Sequence, residues 1–230
     1  MPFFWDPTYI IVLIAAGLCL LASRRMKSIF NKYQNVRSKS GMTGRDTAER
    51  ILQQNGLFDV QIQPVSGELT DHYDPRTKTV CLSESTYNST SVAAIGVAAH
   101  ECGHALQHHH KYVPLNMRSA ILPVANIGAK IAWPLILIGF FIGGQSATFL
   151  IDAGIILFSA AVLFQIVTLP VELNASSRAA GLLSETGILT EEEVGHSRQV
   201  LSAAALTYVA SAAAMVMQLF RLILLRGRRR

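Results

Sequence analysis

Long apolar runs alternate along this chain with shorter mixed ones, and the mixed runs change period. Tyr9 to Ala22 is almost continuously apolar, and Phe3, Phe4 and Trp5 ahead of it bring the run to about the length a bilayer requires, with Trp5 and Tyr9 placed for its interface. Positive charge follows this run, in Arg24, Arg25 and Lys27, instead of preceding it as in a cleaved signal peptide. The pattern therefore predicts a retained anchor whose C-terminal end faces the cytoplasm. Ile121 to Ile142 is apolar except for Asn126, Lys130 and small residues, and Phe149 to Leu169 except for Asp152, Gln165 and small residues. With only Gly143-Gly144-Gln145-Ser146 as the main connection, the two predict a membrane hairpin, in which Lys130 and Asp152 must face protein, each other or the interface. Leu201 to Leu225 is apolar again. By length it could be a fourth span, but crossing would carry the tail Arg226-Gly-Arg-Arg-Arg230 outside, against the positive-inside tendency; packing against the polar domain or the interface is the equal alternative.

Between these runs the periods are those of a small folded domain. Asp46 to Asn55 puts Ala48, Ile51 and Leu52 at helical spacing and stops at Gly56. Val60 and Ile62 then alternate with polar residues, and Leu69 to Tyr73, the turn Asp74-Pro75-Arg76-Thr77 and Thr79 to Leu82 read as a short hairpin. Such a strand could offer its edge to an extended peptide. A helix follows from about Asn88 or Ser89 to His108–His110, and Thr190-Glu191-Glu192-Glu193 has the form of a capping box that opens another. The parts are an anchor (1–23), a first polar part (24–120), the hairpin (121–169), a second polar part (170–200) and the apolar C-terminal helix with its basic tail (201–230).

Composition agrees. Apolar residues make up 50% and charged ones 15% of 230 residues, so the missing charge is concentrated where there is no water. The net charge of +5 clusters beside apolar runs and at the C-terminus, which fits a membrane surface better than nucleic acid. From Arg24 to Lys39 there are six basic residues and no acid, with Ile29, Phe30, Tyr33 and Val36 interleaved, so the segment is either a headgroup-lying helix or a solvated linker. The three cysteines, Cys19, Cys81 and Cys102, imply no disulfide framework.

The chemistry gathers at His100-Glu101-Cys102-Gly103-His104. On a helix the two histidines share a face one turn apart, the spacing that presents two imidazoles to one zinc ion, and Glu101 sits where it can take a proton from the attacking water. Cys102 faces the other way and packs. A third ligand is required. If the anchor ends in the cytoplasm, the hairpin returns the residues after Leu169 to the same face, where Pro170-Val171-Glu172 would open a helix and present Glu172. His110, and less readily His108, compete for that role. Gln107, however, stands where a metzincin has its helix-breaking glycine, so His110 would remain on the helix and off the metal face.

Three long motifs carry a resemblance: Leu69-Thr-Asp-His-Tyr-Asp-Pro-Arg-Thr-Lys-Thr-Val80, Ala98-Ala-His-Glu-Cys-Gly-His-Ala-Leu106 and Leu169-Pro-Val-Glu-Leu-Asn-Ala-Ser-Ser-Arg-Ala179. In order, over nearly the whole chain, they resemble the YugP family of bacterial membrane zinc metallopeptidases, and the arrangement is similar to HtpX-type membrane peptidases. The resemblance implies a mainly α, multi-span membrane protein with a small cytoplasmic α+β zincin-like metallopeptidase domain at a bacterial inner membrane. It implies one catalytic zinc on His100, His104 and Glu172, Glu101 as general base, and a peptide or protein substrate, itself a membrane protein or not. HtpX-type enzymes carry an aspartate where this chain has Ser176, so support for the metal-binding histidines falls to Asn174 or Asp71. Candidates for stabilising the transition state are His72, Tyr73, Asn116, Arg178 and His196. Arg178 has a second reading, as a charge that only orients Glu172. The rival from another class is a metal-binding membrane scaffold or chaperone-like protein, which needs the ligands but not Glu101. A metal transporter would want more polar residues along its spans. Nothing in the pattern fixes the oligomeric state.

Overall fold

The computed structural model describes residues 6–142 and 145–227, those at 145–147 by backbone alone. The length that Phe3 and Phe4 add to the first run, the interfacial role expected of Trp5, the Gly143-Gly144 connection and the last three arginines lie outside the described residues. The chain divides into two compact units, one of Met1–Ala22, Asn116–Leu169 and Thr207–Arg230, the other of Ser23–Leu115 and Pro170–Leu206. Long helices supply both: α1 (Tyr9–Tyr33), α5 (Val113–Ile142), α6 (Gln145–Glu185) and α7 (Glu191–Gly227). All four are long and apolar enough to cross a membrane, and with one small sheet the protein is a mainly α membrane protein.

In the first unit the helices meet through small residues and a few polar contacts. A Cβ on Gly128 would lie 2.8 Å from the Leu157 carbonyl oxygen, and one on Gly154 2.9 Å from that of Ala132, so both glycines let backbones approach closely. Around them Ala132, Ile136, Phe158, Val162 and Leu222 form a cluster. Cys19 Sγ approaches the Ala210 carbonyl at 3.6 Å, and the Arg221 guanidinium lies 5.6 Å from the centre of the Tyr9 ring, so α1 and α7 run antiparallel here. Asp152 does not meet Lys130. It accepts two hydrogen bonds of 2.7 Å from Arg226, while Lys130 is exposed on α5.

The second unit begins with α2 (Gly44–Gln54), opened by a capping box in which Thr43 and Asp46 each satisfy the other's backbone N–H. It ends before Gly56, whose φ of +74° suits the helix exit. Ala48, Ile51 and Leu52 are buried as their spacing requires. Three strands follow, β1 (Gln61–Val65), β2 (His72–Asp74) and β3 (Thr79–Ser83), in the order β1-β3-β2. The expected hairpin is present, with Tyr73 opposite Val80, but β1 pairs in parallel on the other side of β3. The strand just ahead of the histidine helix in sequence, β3, is therefore central and has no free edge; the edges belong to β1 and β2. A one-turn helix, α3 (Glu84–Tyr87), precedes α4 (Val92–His109), which starts slightly later than its pattern suggests because the Ser91 side chain accepts from Ala94 N–H. The core packs Ile51, Leu52, Val80, Leu82, Ile95, Ala98, Cys102 and Leu106 against Ala179, Leu183, Val194 and Leu201.

Candidate metal centre

Helix α4 is rich in alanine and glycine, so it packs closely on its neighbours, and most of it is buried. A Cβ on Gly103 would lie 2.7 Å from the Ala175 carbonyl oxygen, so only glycine permits the observed approach of α4 to α6. That approach brings Glu172, 2% exposed, against the histidine face; it does so from within α6, because Pro170 does not open a new helix but lies inside the one that continues from the apolar run. His100 Nε2 and His104 Nε2 lie 3.2 Å apart with their rings nearly perpendicular, and Glu172 Oε2 lies 3.4 and 3.5 Å from them.

The hydrogen bonds behind the rings decide what these atoms can do. The Gln107 amide donates to the carbonyl of Val171 at 2.8 Å and to Asn174 Oδ1 at 3.0 Å, which fixes its orientation and turns its oxygen toward His104 Nδ1 at 3.0 Å. An amide oxygen can only accept, so His104 Nδ1 donates and its Nε2 carries a lone pair. Ser176 Oγ meets His100 Nδ1 at 3.2 Å and can impose the same tautomer. Two imidazole lone pairs and a carboxylate oxygen then converge, which is repulsive unless a cation stands among them. A tetrahedral zinc with ligands at about 2.0–2.1 Å needs its donor atoms about 3.3–3.4 Å apart. The three observed separations match that edge, and the nitrogen and oxygen donor set fits zinc.

The electrostatics lean the same way. Burial works against charge on His104, but Glu172 and Glu101 outweigh it and hold the imidazole above its ordinary pKa, so the site draws positive charge. Burial alone would raise Glu172, yet the two imidazoles beside it hold its carboxyl well below the usual range. Glu101 is buried and is pushed upward by that burial, which makes it a stronger base than an exposed glutamate.

The remaining candidates separate. Asn174 reaches His104 only through Gln107, and Arg178 donates to Asn174 at 2.8 Å, extending the chain of hydrogen bonds. Asp71 accepts from the N–H and hydroxyl of Ser83 and so holds the β2–β3 end of the sheet. His72 is exposed and bonds the Thr70 carbonyl. Tyr73 bonds His108 Nδ1 at 2.9 Å, and burial pushes its hydroxyl up to about 12. His196 stacks on Tyr33, and Asn116 belongs to the other unit. His110 bonds the Leu106 carbonyl and is outside the cluster, as its place on the helix requires. Cys102 is fully buried with its thiol against the Ala48 carbonyl, and burial raises its pKa. The roles of Gln107 and Ser176 were not foreseen. Their signal was helical spacing, three residues after His104 and four after Glu172.

Comparison with known proteins places these motifs. Residues 8–227 match the family described as "Putative neutral zinc metallopeptidase". Over 218 residues the chain is 50% identical to "Putative membrane protease YugP" of Bacillus subtilis (strain 168), covering 94% of this chain and 96% of that one. No solved structure matches. The chain belongs to this family of zinc metallopeptidases.

Proposed function

We propose that this member of the zinc metallopeptidase family hydrolyses peptide bonds at the cytoplasmic face of a bacterial inner membrane, with His100, His104 and Glu172 as ligands to one zinc ion. The observation that carries the reading is the convergence of two Nε2 atoms and one carboxylate oxygen at tetrahedral edge lengths, with Glu101 on the same helix. When bound, zinc would polarise the scissile carbonyl and lower the pKa of a water toward about 7. Glu101 takes a proton from that water as its oxygen adds to the carbonyl carbon. The same carboxyl then delivers the proton to the departing nitrogen as the C–N bond breaks, leaving a carboxylate and an amine. Gln107 and Ser176 keep both imidazoles in the tautomer that presents Nε2, and the Asn174–Arg178 contact holds the Gln107 amide in place.

The membrane face rests on charge. Six basic residues and no acid follow the first apolar run at 24–39, in the part of the chain that forms the site's unit, which favours a cytoplasmic site. Helix α7 is then a fourth span. Its basic tail is less of an obstacle than the sequence suggests, because Arg226 is paired with Asp152.

The test is Glu101→Gln against wild type in detergent, read as zinc content and as cleavage of an unfolded protein such as casein. Zinc is expected to be retained and turnover to fall by on the order of 10²–10⁴. Equal turnover would overturn the proposed role of Glu101. No turnover by either protein, with zinc bound, would favour the scaffold reading.

A further inference from the structure

Away from the metal centre, α1 and α7 enclose a cleft of about 470 Å3 lined by Arg25, Ile29, Arg198, Gln199, Ser202, Ala203 and Leu206. Arg25 and Ile29 are one turn apart on α1, and Arg198, Ser202 and Leu206 form a stripe at successive turns of α7, so two helix faces build it. No carboxylate lines it, and neither arginine has an ion-pair partner among the described residues. Gln199 Oε1 accepts from the Tyr33 hydroxyl at 2.9 Å, which leaves its NH2 group as a donor. The cleft therefore offers two guanidinium groups, an amide and a hydroxyl, the donors a phosphate diester takes. Ile29, Ala203 and Leu206 add apolar surface to its walls.

Its position along the chain gives the second argument. Arg24 and Arg25 are the first charges after the apolar run of α1, and Leu201 begins the apolar part of α7. Arg25 and Arg198 thus sit where both helices pass from polar to apolar sequence, with Leu206 on the apolar side. A free anion would use the donors and leave the apolar walls uncovered, whereas a phospholipid uses both.

We infer that this cleft is a binding site for one anionic phospholipid, its phosphate held by Arg25 and Arg198 and the start of an acyl chain lying on Ala203 and Leu206. The surrounding charge makes a diffuse attraction to the bilayer as well, so the test must separate a site from a surface. Delipidated protein is titrated with phosphatidylglycerol, phosphatidylcholine or inorganic phosphate and read by native mass spectrometry. Wild type is expected to retain one phosphatidylglycerol in preference to phosphatidylcholine, and Arg25→Gln/Arg198→Gln to lose at least tenfold in its retention with zinc content unchanged. Removing two nearby exposed charges in Arg24→Gln/Lys27→Gln is expected to cost much less. Ser202→Trp, which fills the cleft and keeps both arginines, is expected to displace the lipid and guards against misfolding of the double variant. Equal loss in the Arg24/Lys27 variant would show surface attraction and overturn the site. Full competition by inorganic phosphate would assign the cleft to a free anion and overturn it equally, as would retention by both the cleft variants. None of these readouts depends on peptidase activity.

Discussion

The two units of this chain solve opposite problems with one device. In the unit that holds the metal centre, a buried hydrogen-bond network stands behind the site: Gln107 alone, fully buried, makes three bonds, to His104, Val171 and Asn174. In the other unit large apolar side chains point outward, with Phe141 85%, Phe149 74% and Ile156 70% exposed. So wide an apolar surface is costly in water and ordinary in lipid. Yet both units bring helices together through a glycine against a carbonyl oxygen, Gly103 against Ala175 in one and Gly128 against Leu157 in the other. In lipid, close approach replaces a missing hydrophobic drive; at the metal centre it sets the ligand spacing.

Valine at each glycine would sharpen that contrast most. Gly103→Val and Gly128→Val both force a side chain onto a backbone oxygen and are each expected to destabilise by about 1–3 kcal/mol. Gly103→Val also pushes α6 from α4 and is expected to abolish zinc binding, whereas Gly128→Val is expected to leave the zinc content of the folded fraction intact. Loss of zinc in both, measured by elemental analysis of the monodisperse peak, would break the division drawn here.

Next in size are the residues behind the ligands. Gln107→Ala frees the His104 tautomer and leaves Asn174 without one donor, so about a 10–100-fold loss in zinc affinity is expected. Ser176→Ala removes a single bond and is expected to fall at or below the lower end of that range. Competition with a chromophoric chelator gives both values, and equal affinities across the three proteins would show that the imidazoles are held by packing alone.

What the chain's pattern revealed follows the range of the interactions. The histidine pair was legible because a helix fixes four-residue neighbours locally, and Glu172 because two apolar runs with a short connection return the chain to its starting face. Gln107 and Ser176 were hidden in part because their partners depend on which way two packed helices face each other, which spacing alone does not fix. The hairpin of β2 and β3 is local and was foreseen. The parallel pairing of β1 is not local, and the one turn of α3 is too short to carry a period. Asp152 posed a question the sequence asked correctly, but its partner Arg226 is 74 residues away on a helix whose path was undecided.

In the membrane unit, Asp152→Asn is expected to lower the unfolding temperature, because a charge-assisted pair beside lipid is less screened than one in water, with zinc and turnover unchanged. Exchanging the charges in Asp152→Arg/Arg226→Asp should recover part of the loss. A double-mutant cycle on thermal unfolding in detergent measures the coupling, and a coupling near zero would mean that the pair is incidental.

The smallest effect is tied to pH and belongs to the other unit. Glu193 accepts from the N–H and hydroxyl of Thr190 at 2.9 Å and from Lys39 N–H at 2.7 Å, closing the start of α7 onto the segment after α1. Burial by itself would raise its pKa, but these bonds favour the carboxylate and hold it below the ordinary glutamate value. A group whose pKa is lower folded than unfolded gives its full stabilisation above about pH 4.3 and loses it as pH falls through the folded value. Glu193→Gln should therefore melt below wild type at pH 7 by about 2–4 °C for about 1 kcal/mol, and the gap should narrow as the pH is lowered through the folded value. The comparison is made on zinc-free protein, because protonation of His100 and His104 on the way down would release metal from both proteins and bury the difference. A gap that stays constant to pH 3 would mean that the shape of the side chain, and not its charge, closes the helix.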